Sequence, residues 1–353
     1  MQEQLQKLFP DIDEILIKSL GVLWILAGIL QLQPAMFTKT FLINVIEANL
    51  VSQPAFLLSL LHLGIHVYEM NMVLANLSAS FIQLTIGALL LFPAWKRYRK
   101  FALSLSIGWG ILVWIFGEGL GNLFTGSASF YIGAPGAVLL YVILALFLLF
   151  PQKLRTYFLP QVVGGIFFLG VILNELPMFW TKGMQEMFWE MSLQDQNGVV
   201  SVLARNIAHL ATLTSLTNMC AIGVLLLLGT LLIVWPNKIV GYISIIFLFF
   251  VWWISQDFGG IFSFPIGTAT DVNAAPLLML FLVPIFSQSS EVMSHTLFFA
   301  KESGNAIEKA IYSKWFFASI LIISGVLCGF VLKNIATPIH FSSSQNPMQM
   351  IMR

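Results

Sequence analysis

Long apolar runs, each ended by a proline, a glycine or charged residues, form the main pattern of this chain. A helix of about 20 apolar residues is long enough to cross the bilayer core, which is about 30 Å thick. The pattern therefore predicts about nine transmembrane helices. Their approximate bounds are residues 14–32, 70–92, 101–117, 134–150, 158–173, 207–234, 239–255, 275–286 and 315–332.

Two stretches interrupt this pattern. The eighth apolar run stops at Phe286, and about 12 residues give a helix of only about 18 Å unless it continues through residues 295–300. The stretch 35–68 contains Lys39, Glu47 and other polar residues, which are too frequent for a membrane span. This second pattern is typical of amphipathic helices that lie on the membrane surface.

The composition agrees with an all-α polytopic membrane protein. The 353 residues are 58% hydrophobic and 9% charged, which is more apolar surface than a soluble core could bury. The lipid bilayer is therefore the expected partner, and a net charge of +1 without a long basic run excludes nucleic acid. Walker, Rossmann, zinc-protease and Gly-x-Ser-x-Gly motifs are absent, so neither a catalytic residue nor a cofactor is identified. Whether the protein is an enzyme stays open.

The distribution of positive charges predicts the orientation. If the N-terminus is cytoplasmic, nine helices leave five of the 17 Lys and Arg residues on the outer side. The others, including the cluster at residues 96–100, fall on the cytoplasmic side, as the positive-inside rule requires. We expect a multi-pass protein of the plasma membrane. The five outer residues are Lys39, Lys182, Arg205, Lys333 and Arg353.

Similar residues recur at a spacing of 139 to 142 positions, which indicates an internal duplication. Each copy would contain four helices. Because four is an even number, both copies would enter the membrane from the same side, and a site between them is a natural expectation. The matched positions are Trp114 with Trp253, Glu118 with Asp257, Gly87 with Gly229, Asn76 with Asn218, and Ala134-Pro135 with Ala275-Pro276.

The duplication sets the domain boundaries. Residues 1–13 form an N-terminal amphipathic segment, residues 14–151 the first membrane repeat and residues 157–291 the second. Residues 292–353 contain a linker on the cytoplasmic side, the last transmembrane helix and a C-terminal tail.

Two carboxylates at matched positions are the leading candidates for a ligand site. Glu118 and Asp257 follow predicted helices, about 27 Å above the cytoplasmic face, where the helix dipole disfavours negative charge. Lys39 and Lys182 lie on the same side, which predicts the ion pairs Lys39–Glu118 and Lys182–Asp257. These pairs could be structural, because charges in membranes are commonly paired, or they could bind a ligand or transfer a proton.

His66 and His209 also match and are further candidate binding residues. His62, His66 and Glu69 have a spacing that could bind a metal on one helical face. The second copy lacks this set, so we expect no metal site. Haem ligation by His66 and His209 and ordinary hydrogen bonding are the alternatives.

Two runs of small residues precede predicted helix starts. They are GSAS at residues 126–129 and GTAT at residues 267–270. Free N–H groups at a helix N-terminus can bind an anion. Glycine and serine at such positions also permit a tight re-entry of the chain, which is the simpler interpretation.

The first predicted helix ends in a Pro-x-x-Phe segment, Pro34-Ala35-Met36-Phe37, and an apolar helix containing Gly87 follows within a four-helix unit. In these features each repeat resembles the DoxX-like membrane proteins. The usual member has one such unit, whereas this chain would have two and a ninth helix. The resemblance implies an association with quinone-linked sulfur redox, and hence quinone as a partner.

Three functions are therefore compatible with the sequence. The leading hypothesis is a membrane protein that binds or translocates a small solute or ion through an outward-facing site between the repeats, with Glu118 and Asp257 as ionisable groups. The second is a quinone-linked redox subunit with His66 and His209 near the outer leaflet. The third is a non-catalytic assembly subunit.

Overall fold

The computed structural model describes residues 12–181, 183–194, 207, 214–265 and 267–287. These residues form helices and turns without β-strands, so the prediction of an all-helical protein is confirmed. They all belong to one compact unit, residues 1–303. The predicted helix at residues 315–332 lies outside the described residues.

Ten α-helices of twelve or more residues occur in these ranges. Eight match the eight apolar runs predicted there. The other two are α2, inside the stretch predicted to form amphipathic surface helices, and α7. The helices are α1 (Ile12–Leu30), α2 (Ala55–Met70), α3 (Met72–Leu91), α4 (Arg99–Phe116), α5 (Ala137–Leu149), α6 (Gln152–Asn174), α7 (Gly183–Gln194), α8 (Thr214–Val234), α9 (Lys238–Ile254) and α10 (Ala274–Ser287).

Fewer of these helices are suited to span a membrane than the apolar runs predict. In the described part of the chain, four segments are long and apolar enough, and they contain α3, α4, α6 and α8. A fifth results if α9 and the 3-10 turns Asp257–Ser263 form one span across a bend of 49°. α1 is less apolar at its start, where it carries Asp13, Glu14 and Lys18.

The short helices α5 and α10 lie at the centre of the bundle. Their 13 and 14 residues give a length of about 20 Å. α5 packs against α1, α4, α6 and α10, and α10 also packs against α9. Leu140, Leu144, Leu277 and Phe281 are fully buried. A helix that is apolar on all sides is suited to a protein interior as well as to lipid, so the apolar pattern does not distinguish the two environments.

Two helix pairs cross closely at glycines. A Cβ atom on Gly87 of α3 would lie 2.7 Å from the carbonyl oxygen of Gly21 on α1. A Cβ atom on Gly164 of α6 would lie 2.9 Å from the carbonyl oxygen of Gly229 on α8. Small residues let helix backbones approach in membranes, and here they do so in both halves of the chain.

Buried amides join the same two helix pairs. The Asn76 amide donates to the carbonyl oxygen of Gln31 at 2.8 Å, and the Gln31 amide donates to Asn76 Oδ1. The Asn218 amide likewise donates to the carbonyl oxygen of Asn174 at 2.8 Å, and Asn174 Nδ2 donates to Asn218 Oδ1 at 3.2 Å. Both asparagines on the second helix of the pair, Asn76 and Asn218, are fully buried.

Ion pairs hold the start of α1 at one end of the bundle. Arg99, at the start of α4, donates to both carboxylate oxygens of Glu14. Arg155, near the start of α6, donates to Asp13 and to the carbonyl oxygens of Leu148 and Phe150 at the end of α5. A cation at a helix C-terminus complements the helix dipole. The candidate site lies at the opposite end of α4 and α5.

Candidate functional site

The carboxylate of Glu118 caps α5. Glu118 follows α4, and the Val138 N–H donates to its Oε1 at 3.1 Å and to its Oε2 at 3.3 Å. Trp114, in the last turn of α4, donates from Nε1 to the carbonyl oxygen of Pro135 at 2.8 Å. The first turn of a helix has free N–H groups and partial positive charge. The C-terminal end of α4 disfavours a negative charge on Glu118, and the N-terminal end of α5 compensates for this effect.

The predicted Lys39–Glu118 ion pair is wrong. Lys39 is exposed, and the ion pairs between described residues connect Glu14 to Lys18, Lys96 and Arg99, and Asp13 to Arg155. The backbone of α5 satisfies Glu118 in place of a lysine. Lys182 lies outside the described residues, so the Lys182–Asp257 pair stays a prediction.

A left-handed turn follows Glu118. The four residues of Gly119–Asn122 have φ angles of 53°, 59°, 64° and 54°. A left-handed backbone costs a residue with a side chain about 1–2 kcal/mol, and Leu120 and Asn122 both adopt it. The Gln53 amide donates to the carbonyl oxygen of Gly119 at 3.1 Å and holds the turn. Such strained backbones cluster at binding sites.

The same set of contacts occurs where α9 leads to α10. Trp252 Nε1 donates to the carbonyl oxygen of Val272 at 2.7 Å, and the Ala275 N–H donates to Oε1 of Gln256 at 3.1 Å. A left-handed turn then follows Gln256, with φ angles of 45°, 52°, 71° and 68° from Asp257 to Gly260. An amide oxygen thus caps α10 as a carboxylate caps α5.

This geometry corrects three matches made from the sequence. Gln256, and not Asp257, accepts the helix-capping hydrogen bond that Glu118 accepts at α5. Trp252, and not Trp253, makes the indole hydrogen bond that Trp114 makes. Asp257 begins the left-handed turn and corresponds to Gly119. The match of Ala134-Pro135 with Ala275-Pro276 fails similarly, because the backbone acceptors of the two tryptophans are Pro135 and Val272.

Glu118 lines a cavity of about 370 Å³ together with Asp271. This smaller cavity lies between the stretch from α4 to α5 and the stretch from α9 to α10. No Lys, Arg or His occurs among its described lining residues. Its polar side chains are Asn49, Glu118, Asn122, Ser129, Thr268, Thr270, Asp271 and Asn273.

Asp271 is the functional candidate that the sequence pattern did not reveal. It lies in an irregular loop just before α10. Its Oδ1 accepts from the Asn273 N–H at 2.6 Å, and its Oδ2 accepts from the Thr270 hydroxyl at 3.2 Å. The available signal was an acid next to the start of an apolar run, at Thr270-Asp271, but no acid precedes the predicted helix at residues 134–150 in the same way.

The surroundings raise the pKa of both carboxyl groups of the smaller cavity. Burial raises the pKa of Glu118 well above its usual range, and repulsion from Asp271 raises it further, against the opposing effect of the Val138 and Ala137 N–H groups. Burial also raises the pKa of Asp271, while the hydrogen bonds from Asn273 and Thr270 oppose the rise. Two neighbouring carboxyls that repel each other commonly share one proton.

Asp257 lines a second, larger cavity of about 1,270 Å³, to which Glu47, Glu186 and Gln256 also contribute. Glu118 and Asp271 do not line it. The two cavities share lining residues, so they adjoin at one wall. The shared residues are Ile132, Gly259, Thr268, Ala269 and Asn273.

The two histidines that the structure describes, His62 and His66, line neither cavity. His66 is exposed on α2, as are His62 and Glu69, and none of the three lines a cavity. His62 bonds through Nδ1 to the carbonyl oxygen of Leu58 at 2.7 Å. Among the described residues, no group of three potential metal ligands occurs. His209 lies outside the described residues, so its role stays a prediction.

The small-residue runs line the smaller cavity, through Ala128 and Ser129 and through residues 268–270. They do not leave free helix ends for an anion. Glu118 already caps α5, and the Ala274 N–H at the start of α10 donates to Asn273 Oδ1 at 2.7 Å. The interpretation as a tight re-entry of the chain agrees with this geometry.

No protein-family model, curated protein or solved structure matches this chain.

Proposed function

We propose that this is an integral membrane protein that binds or translocates a small polar solute or ion through the smaller cavity. The observation that carries this function is the position of Glu118 and Asp271 in one cavity of about 370 Å³, without a cationic side chain in its described lining. Small-molecule sites are typically concave and begin at about 300 Å³. Carboxyl groups with a raised pKa in a cleft are typical of functional sites.

We further propose that the cavity lies between two parallel structural repeats. Three features that occur twice support the duplication. They are the glycine crossings at Gly21–Gly87 and Gly164–Gly229, the buried amide pairs Gln31–Asn76 and Asn174–Asn218, and the capped central helices followed by left-handed turns. The last feature supplies both walls of the cavity.

The N-terminal ends of the two short central helices, α5 and α10, border the proposed site. Transporters often place ligand sites where interrupted helices begin, between two repeats. Here the two helix starts carry different caps, Glu118 on α5 and Gln256 on α10. The site is therefore asymmetric in charge, although the two left-handed turns have similar φ angles. Glu118 has Asp271 as its acidic partner in this function, and Asp257 takes a position in the larger cavity.

The cavities would open to the outside of the plasma membrane. The start of α1, with its Arg99 and Arg155 ion pairs, lies at the other end of the bundle. Lys96, Arg97 and Lys100 are near that end in sequence, and the positive-inside rule assigns them to the cytoplasm. A cytoplasmic N-terminus follows from the same assignment.

Thermal unfolding of the purified protein in detergent tests the function. The panel contains alkali chlorides, alkylammonium chlorides, neutral polar solutes and quinone analogues. A ligand at 100 times its Kd stabilises the folded state by about 2.7 kcal/mol. We expect a member of the ion or solute classes to raise the melting temperature, and Glu118→Gln and Asp271→Asn to remove that increase. Glu69→Gln is the matched control, because Glu69 is an exposed acid on α2.

The alternatives from the sequence give different results in the same panel. A DoxX-like redox subunit would respond to quinone analogues, with no dependence on Glu118 or Asp271. An assembly subunit would respond to no compound, and the two variants would change only its melting temperature. Either result would refute the proposed site.

A further inference from the structure

Tyr141 is a buried polar side chain of α5 near the smaller cavity. It lies on α5, four residues after Ala137, which lines the cavity, and three after Val138, which binds Glu118. Residues three and four apart share a helical face. Helical side chains lean towards the N-terminus, so Tyr141 leans towards the start of α5, although it is not itself a lining residue of the cavity.

The Tyr141 hydroxyl is buried without a hydrogen-bond partner in the described structure. The side chain is 1% exposed, and the Trp24 ring lies edge-on with its centroid 4.7 Å away. A buried hydroxyl without a partner is costly, so the Tyr141 hydroxyl is a donor available to a nearby acceptor. Glu118 and Asp271 are both near enough to act on it electrostatically.

The cavity is suited to a small organic cation. Its volume of about 370 Å³ equals the liquid volume of about a dozen water molecules, which is far more than a bare metal ion fills. Its described lining contains two acids and no basic side chain, which favours a cation over an anion. The charged groups around it are Glu118 after α4 and Asp271 before α10, with Tyr141 on α5. Glu47 and Asp257 line the larger cavity.

We propose that Glu118, Asp271 and the Tyr141 hydroxyl form a site that exchanges one proton for a small ammonium ion. When the ammonium ion enters, the proton shared by the two carboxyls leaves to solvent, so the charge of the site is conserved. The ammonium N–H groups donate to the carboxylates, and Tyr141 donates to the carboxylate that has lost its proton. This inference rests on the proposed function and specifies its ligand class.

Proton release on ligand addition tests the exchange. Methylammonium chloride is added to the full-length protein in weakly buffered detergent solution, and a pH-indicator dye records the released protons. We expect up to about one proton per protein molecule, and none from Glu118→Gln or Asp271→Asn. Sodium chloride at equal ionic strength should release none. Release by sodium equal to that by methylammonium would refute the ammonium assignment.

Tyr141→Phe tests the hydroxyl, because it removes one oxygen and keeps the ring. Loss of a donor to the ionised carboxylate should move the pH of half-maximal release upward by about 1–2 units. Tyr131→Phe is the control, since Tyr131 is also buried but donates to the carbonyl oxygen of Ala221 at 3.3 Å. An unchanged midpoint in Tyr141→Phe would exclude the hydroxyl from the site.

The outcome separates this inference from the function on which it rests. If an ion or solute stabilises the protein through Glu118 and Asp271 but no proton is released, the exchange is wrong and the binding function stands. If no compound of the panel stabilises the protein and methylammonium releases no proton, both are wrong.

Discussion

Replacement of Glu118 separates its role as a helix cap from its role as a charge. Glu118→Ala removes the acceptor of the Val138 N–H, which then lies unpaired at the start of a buried helix. Loss of a cap costs about 0.5–2 kcal/mol, and an unsatisfied buried donor costs about 1–3 kcal/mol. The two costs overlap, so we expect Glu118→Ala to lower the free energy of unfolding by about 2–3 kcal/mol.

Glu118→Gln should be much milder. The structure already contains an amide in this role, because Gln256 Oε1 accepts from the Ala275 N–H at 3.1 Å. The substitution also removes the repulsion between Glu118 and Asp271. We expect a change of less than about 1 kcal/mol, the net value of one hydrogen bond.

Reversible unfolding in mixed micelles, followed by circular dichroism, measures both variants. Glu69→Gln is again the control for a loss of charge at an exposed site. Equal destabilisation by alanine and glutamine at position 118 would refute the capping role, since only glutamine retains the acceptor.

The remaining predictions concern pH and the two repeats. Because the folded protein raises the pKa of Glu118 and Asp271, their contribution to stability is full below the unfolded pKa and is lost as pH rises through the folded pKa. Melting temperatures measured against pH should therefore fall towards alkaline pH in this window, and less so in Glu118→Gln; a flat wild-type profile would contradict the shifts. Gly87→Ala should destabilise the protein by about 1–3 kcal/mol, because its Cβ would meet the Gly21 carbonyl oxygen at 2.7 Å. Gly108→Ala, where the added Cβ meets nothing within 4 Å, is the control, and equal unfolding free energies for both would refute the close crossing. Asn76→Ala and Asn218→Ala should each cost about 1–3 kcal/mol; costs that differ several-fold would argue against equivalent repeats.

The positions of the helices were predictable because apolar length and breaker residues are local properties. The runs ending at Pro93 and at Pro236 correspond closely to the ends of α3 and α8. The surroundings of each helix were not predictable in the same way. α5 and α10 are as apolar as a membrane span, yet other helices of the protein surround them. The apolar pattern of a helix does not show whether lipid or protein covers it.

The candidate site was predictable only in part. Glu118 and the loops that line the smaller cavity were identified from the repeated sequence. The sequence match was one residue off there, because Glu118 was matched to the acid Asp257 and not to the amide Gln256, which makes the equivalent hydrogen bond. A carboxylate oxygen and an amide oxygen can both accept the hydrogen bond that caps a helix. Matching residues by their charge therefore missed the residue that has the same structural role. Asp271 was missed because its partner in the cavity is 153 positions away and only the fold brings them together.

A calorimetric titration of wild-type protein, Glu118→Gln and Asp271→Asn with methylammonium chloride tests the central claim most directly. The account predicts one saturable site per chain in the wild-type protein, with heat that depends on the ionisation enthalpy of the buffer because a proton is released. It also predicts loss of this binding in both variants while their folded helical content is kept. Binding of equal affinity in wild-type protein and in both variants would show that Glu118 and Asp271 are not the site.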